Sequence, residues 1–119
     1  MELGWCDVCL DVKDVVASRD FYAKLGFRVV EGKVEEGWQV MTNDDLRLGL
    51  YHGHMEQETL MLNFRGGDVF ANAEALQAKG LAFEKGPLVE RDKSAAAILR
   101  DPDGYAIFLN TAPGETKPV

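Results

Sequence analysis

The sequence predicts an α+β domain made of two tandem βαβββ modules. Three observations predict it: short apolar stretches, several alternating at period two; two helical stripes, each opened by Asp and closed by Gly; and a run of elements that occurs twice. In the first module, Val8, Leu10 and Val12 alternate with Asp7, Cys9 and Asp11, the pattern of a half-buried strand. Asp14 then caps a helix whose stripe is Val15, Ser18, Tyr22 and Leu25, and Gly26 supplies the left-handed residue that ends it. Phe27 to Val30 is a short strand that Gly32 breaks, and the acidic run Glu31 to Glu36, with Lys33 inside, is expected to be a solvated hairpin. Trp38 to Thr42 is the next strand. After the turn Asn43-Asp44-Asp45, Leu46, Leu48 and Leu50 alternate with Arg47, Gly49 and Tyr51.

The same grammar restarts after the polar connector His52 to Glu58. Leu60, Leu62 and Phe64 alternate with Thr59, Met61 and Asn63; Gly66-Gly67-Asp68 leads into a helix bearing Val69, Ala73 and Leu76, closed by Gly80. Ala82 to Leu88 and Ala95 to Leu99 follow as strands. Asp101-Pro102-Asp103-Gly104 is a strong turn signal before the last strand, Tyr105 to Leu109. Ala23-Lys24-Leu25-Gly26-Phe27 in the first half echoes Ala78-Lys79-Gly80-Leu81-Ala82-Phe83 in the second. We therefore expect one domain over residues 1–119, with module 1 at about 1–57, module 2 at about 58–112, and a polar, frayed tail at 113–119. Neither half can bury its own apolar face well, so the two should share a core.

Composition narrows the function classes. The chain has 13 Lys+Arg against 20 Asp+Glu, a formal net charge of −7. Nucleic acid and anionic bilayers both require a basic footprint, so neither is expected as a partner. No apolar stretch approaches a membrane span, and the start Met1-Glu2-Leu3-Gly4-Trp5 lacks a secretory pattern, so a cytoplasmic location is expected. Cys6 and Cys9 form C-x-x-C on a strand, where residues three apart point to opposite faces; without a turn or a second ligand pair, they are expected to be reduced structural thiols. His52 and His54 both sit in the connector, which leaves no Ser/His/Asp arrangement. Gly66-Gly67 lacks a phosphate-loop pattern.

Together the motifs resemble the vicinal oxygen chelate superfamily, which includes glyoxalase I, extradiol dioxygenases and bleomycin-resistance proteins. The resemblance rests on Val12-Lys13-Asp14, Ser18, Phe21-Tyr22, Leu25-Gly26-Phe27 and Arg100-Asp101-Pro102-Asp103-Gly104-Tyr105, in that order across the repeat, and it spans about residues 5–111. It implies curled mixed sheets around a cup with the helices outside, and a homodimer. It also implies where metal-dependent members carry their ligands: on Asp7, on Arg47 (or Gly49, two residues on), on Thr59 and on Phe108. Of these only Asp7 binds a divalent cation well, and a guanidinium would repel one. A metal-dependent glyoxalase is thus not expected, and no cofactor is implied.

The alternation assigns faces. Val8, Leu10, Leu46, Leu48, Leu50, Leu60, Leu62, Phe64, Ile107 and Leu109 should face the helices, and the opposite face should carry Trp5, Asp7, Cys9, Asp11, Arg47, Gly49, Tyr51, Thr59, Met61, Asn63, Ala106, Phe108 and Asn110. From this face, and from Trp38 as a further aromatic, we take Asp7, Cys9, Trp38, Arg47, Tyr51, Thr59, Met61 and Phe108 as candidate ligand-binding residues for a small organic molecule in the cup. Asp7 and Arg47 are expected to pair where relatives hold a metal, either contacting a ligand or as a solvated rim pair. The aromatics are candidates to stack on a planar ligand or to serve as core. The expected function is a metal-free small-molecule-binding protein that sequesters an antibiotic or other polar-aromatic compound. The alternative is a metal-dependent lyase, isomerase or dioxygenase with a relocated site drawn from Asp7, His52, His54 or Glu58. The charge split, six basic and eleven acidic residues in 1–57 against seven and nine in 58–119, suits a cationic or polar-aromatic ligand.

Overall fold

A computed structural model describes residues 1–55 and 60–115. The elements, in chain order, are β1 (Gly4–Asp11), α1 (Val15–Lys24), β2 (Arg28–Lys33), a 3-10 turn (Val34–Glu36), β3 (Trp38–Thr42), β4 (Arg47–Tyr51), β5 (Leu60–Gly66), α2 (Val69–Ala78), β6 (Lys85–Val89), β7 (Ala95–Arg100) and β8 (Ala106–Thr111). The chain is α+β and divides into two compact units: Asp7–Met61, and Met1–Cys6 together with Leu62–Val119.

In the Asp7–Met61 unit the strand order is β2-β3-β4-β1. The sheet is mixed, since β1 runs parallel to β4 while β2–β3 and β3–β4 are antiparallel. Helix α1 starts where Asp14 accepts a hydrogen bond from the Ala17 amide, and it stops before Gly26, whose φ is +98°. Its Val15 packs with Met41, Leu48 and Leu50, and Val8, Leu10, Val12, Tyr22 and Phe27 close around that cluster. Three expected core residues of this unit fall outside it, Leu60 among them. Leu46 lies in the turn before β4 and is exposed, and Leu25 becomes the exposed cap of α1 rather than its last stripe position.

Strand β2 also differs from expectation. It continues through Gly32 to Lys33 instead of breaking, because a bulge between Val29 and Glu31 absorbs one extra residue against β3. The hairpin then closes through the 3-10 turn and Gly37, whose φ is +80°.

In the second unit the strand order is β5-β8-β7-β6, with β6–β7 and β7–β8 antiparallel. Asp68 caps α2 by accepting from the Ala71 amide. Val69, Ala97 and Leu109 form the core, with Leu3, Phe64, Leu76, Phe83 and Ile107 packed against it. The sixth strand is shorter than Ala82 to Leu88 suggests: it starts at Lys85 and is itself irregular between Lys85 and Leu88. Residues 113–115 are anchored rather than frayed, because Arg65 Nη2 donates to Glu115 Oε2 at 2.6 Å with both side chains largely buried. The rest of the expected tail, 116–119, lies outside the described residues, as do Glu56, Glu58 and Thr59.

Candidate functional site

The parallel register of β1 and β4 sets Asp7 beside Arg47, Cys9 beside Gly49, and Asp11 beside Tyr51. On β3 the same face carries Thr42, Val40 and Trp38, opposite Arg47, Gly49 and Tyr51 in turn. Asp7 is fully buried. A carboxylate removed from water needs a charged or hydrogen-bonding partner, and Arg47 Nε donates to Asp7 Oδ1 at 2.5 Å. The expected ion pair is therefore present, with its acid in the interior rather than at a solvated rim; the Arg47 side chain is 16% exposed.

A third member joins this pair. Arg47 Nη2 donates to Glu31 Oε2 at 3.1 Å. Strict alternation from Arg28, which lies opposite Thr42, would turn Glu31 toward the helix. The bulge after Val29 resets the phase and places Glu31 opposite Val40, on the Arg47 face. Glu31 was expected only as part of a solvated hairpin, and the structure corrects that. The signal that could have found it is Gly32 inside a strand pattern, a mark of a bulge or close backbone approach. Gly32 has φ +92°, and a Cβ there would lie 2.7 Å from the Trp38 carbonyl oxygen.

The aromatic candidates of this unit hold each other. Trp38 and Tyr51 are a cross-strand pair with parallel rings, centroids 6.0 Å apart and planes at 8°, so each covers one face of the other. The Tyr51 ring folds back over Gly49: a Cβ on Gly49 would sit 2.7 Å from Tyr51 Cε2 and 3.0 Å from Cys9 Sγ. Cys9 is fully buried there, its thiol directed at the Asp7 carbonyl oxygen at 3.8 Å. The two connector histidines do not form a pair. His52 Nδ1 lies 3.0 Å from the Val12 carbonyl oxygen and His54 Nε2 lies 2.6 Å from that of Glu36, so each ring pins a different backbone segment.

Of the remaining candidates, Met61 is the last residue of the Asp7–Met61 unit and Thr59 lies outside the described residues. Phe108 belongs to the second unit, half-buried on β8 opposite Ile98 of β7. In that unit the Trp5 ring carries the Arg65 guanidinium 5.5 Å from its centroid. Trp5 Nε1, Asn63 Oδ1 and Asn110 Oδ1 are buried there without hydrogen-bond partners.

A divalent metal does not fit the positions the resemblance implies. Arg47 brings a cation, Phe108 brings no donor, and the Asp7 carboxylate is held by the guanidinium. Among the described residues, no group of three or more His, Cys, Asp or Glu is gathered as a ligand set. Two surface carboxyls do have shifted acidity. Asp44 is held below its ordinary value by hydrogen bonds from Arg28 and by that residue's charge, and Arg28 is raised in return. Asp92 is lowered by hydrogen bonds from Ser94. Neither touches the Asp7–Arg47–Glu31 cluster. No helix among the described residues is long and apolar enough to cross a membrane.

Residues 4–109 match the family described as Glyoxalase/Bleomycin resistance protein/Dioxygenase superfamily. No curated protein matches the chain in sequence. Among solved structures, one described as an NAD-dependent benzaldehyde dehydrogenase from Legionella pneumophila superposes with a TM-score of 0.76 at 19% identity, covering 91% of this chain and 99% of that one. A glyoxalase/bleomycin resistance protein/dioxygenase superfamily member from Vibrio splendidus 12B01 gives 0.64 at 17% identity, covering 90% and 97%. A homoprotocatechuate 2,3-dioxygenase variant from B. fuscum gives 0.55 at 21% identity, covering 88% of this chain but 32% of the enzyme. At these identities the likeness is one of fold, which does not fix chemistry.

Proposed function

Because the chain belongs to the Glyoxalase/Bleomycin resistance protein/Dioxygenase superfamily, we propose that it is a member that binds and sequesters a small polar-aromatic molecule without a divalent metal, on the face carrying Asp7, Arg47 and Tyr51. The observation that carries this reading is the guanidinium of Arg47 on the buried Asp7 carboxylate, at the two first-module positions where the family resemblance puts metal ligands. A divalent ion there would have to displace an arginine held by two carboxylates. The face keeps what a small-molecule site needs: one fixed charged group and aromatic rings beside it.

Two measurements test the reading together. Purified protein should carry far less than one equivalent of tightly bound metal, and EDTA should leave its melting temperature unchanged. A thermal-shift screen of polar aromatics, including aromatic cationic antibiotics, should raise that temperature for a subset of compounds. Stoichiometric tight metal would overturn the metal-free reading in favour of a lyase, isomerase or dioxygenase. Silence across a broad library would overturn ligand binding altogether.

A further inference from the structure

We infer that the second unit carries a binding site of its own, independent of the Asp7–Arg47 face, in which Asn63, Asn110 and Trp5 take a neutral primary carboxamide. Asn63 and Arg65 share one face of β5, with Phe64 between them turned to the core under α2. Arg65 sets its guanidinium on the Trp5 ring, which brings Trp5 to that face. On β8, the neighbour of β5 in this unit, Leu109 belongs to the core, so Phe108 and Asn110 on either side of it point away from α2. Trp5 Nε1, Asn63 Oδ1 and Asn110 Oδ1 therefore lie on one side of one sheet, each buried and without a hydrogen-bond partner among the described residues. Asn63 as a whole is only 5% exposed. A buried polar atom left unpaired destabilises the free chain, and interiors pair nearly all of them, so three in one unit call for a partner from outside it.

The unpaired set fixes the chemistry of that partner. Two carbonyl oxygens require N–H donors, and the indole N–H requires an acceptor. A primary carboxamide carries this complement, two N–H bonds and one carbonyl oxygen. A carboxylate brings neither Asn a donor, and an amidinium brings the indole no acceptor. Turning an Asn amide over exchanges its oxygen for its NH2, and a carboxamide, which bears both groups, still pairs with it. Phe108 offers a surface to an attached ring: it is half-buried and one alternation from Asn110, about 7 Å along β8. Because the three atoms are closed to solvent, entry requires a side chain to move. Trp5 suits that part, since its ring is half-buried and its N–H has no bond to hold it.

Benzamide, benzoate and benzamidine share one shape and separate the three complements. Each is titrated into the intact protein while the Trp5 indole N–H and the Asn63 and Asn110 side-chain NH2 signals are followed by NMR, with Trp5→Phe assigning the indole. Benzamide should move all three signals saturably, with benzoate and benzamidine at least about ten-fold weaker, the loss expected from a buried group left unpaired. Asn63→Leu should weaken benzamide by about ten-fold or more. By removing an unpaired polar group it should also raise the melting temperature of the free protein by about 4 °C or more, whereas a purely structural asparagine would lose stability on the same change. Asn110→Leu should do the same, and either variant suffices. The inference fails if the asparagine signals do not respond to benzamide, or if benzoate or benzamidine binds there as well. It fails too if neither leucine variant raises the melting temperature, because a fixed water then already serves these atoms. Shifts confined to Arg47 and Trp38 would overturn this site and leave the ligand reading of the first unit standing.

Discussion

Replacing Arg47 by Met removes the cation from a carboxylate that has no exposure to water, while the long apolar side chain still fills the space. Breaking a buried pair by removing one partner costs about 3–5 kcal/mol, because the remaining charge is uncompensated. Asp7 is fully buried, so solvent screening gives little discount. Arg47 is 16% exposed, which places the cost toward the lower end of that range. For 119 residues, an unfolding entropy of about 2.1 cal/mol/K per residue gives about 0.25 kcal/mol/K. The lower part of that range corresponds to a fall of about 12–16 °C in melting temperature, a large part of the roughly 5–15 kcal/mol by which a domain is stable. The companion variant, Asp7→Leu with Arg47→Met, removes both charges and should recover most of the loss, since apolar replacement of a whole buried pair is often neutral. Urea unfolding followed by tryptophan fluorescence, with thermal melts by circular dichroism, reads both. An Arg47→Met loss below about 1 kcal/mol, the scale of a surface ion pair, would refute the reasoning. So would a double variant as unstable as the two single losses added together.

Other outcomes follow from the same geometry. Gly49→Ala should push the Tyr51 ring off Gly49, break its stack on Trp38 and cost about 1–3 kcal/mol; an unchanged near-UV circular dichroism spectrum would contradict this. Asp44 should titrate below the ordinary carboxylate value of 3.8. Because its folded-state pKa is depressed, the stabilisation it lends is present above the unfolded value and is lost as pH falls through the folded one. In Arg28→Gln the Asp44 midpoint, followed by carboxyl carbon NMR, should move up, and an unmoved midpoint would assign the depression elsewhere. Glu115→Ala should cost about 1.5–3 kcal/mol by removing a largely buried charge-assisted contact to Arg65; wild-type stability would show that the contact contributes nothing.

The fold and the Asp7–Arg47 pairing were legible in the sequence for a physical reason: both follow from period-two alternation. Asp7 and Arg47 occupy odd positions on strands whose even positions are Val8, Leu10, Leu48 and Leu50, so placing the leucines in the core forces the acid and the base onto one shared face. What alternation cannot give is an interruption of itself. Glu31 was hidden because the bulge in β2 shifts its phase by one residue, and Leu46 was misplaced because β4 begins one residue later. The stack of Tyr51 on Trp38 depends on the antiparallel register of β3 and β4, which links residues thirteen apart through a turn whose length the pattern leaves open. Anchoring of Glu115 by Arg65 joins positions fifty residues apart, and no local signal marks that contact.

The acid at the first-strand position also explains why an arginine suits the fourth. The sheet buries position 7 completely, so a carboxylate there demands a cation whatever the chemistry of the site. A divalent metal meets that demand when other ligands share it; alone, Asp7 cannot hold one. A guanidinium meets it with a single side chain delivered by the neighbouring strand in register. Arg47 has donors to spare after satisfying Asp7, and one of them reaches Glu31. On the metal-free reading proposed above, a fixed hydrogen-bond donor would stand where a metal-dependent member carries a Lewis acid. On that reading the guanidinium would orient a bound ligand but supply no exchangeable coordination position through which to activate it.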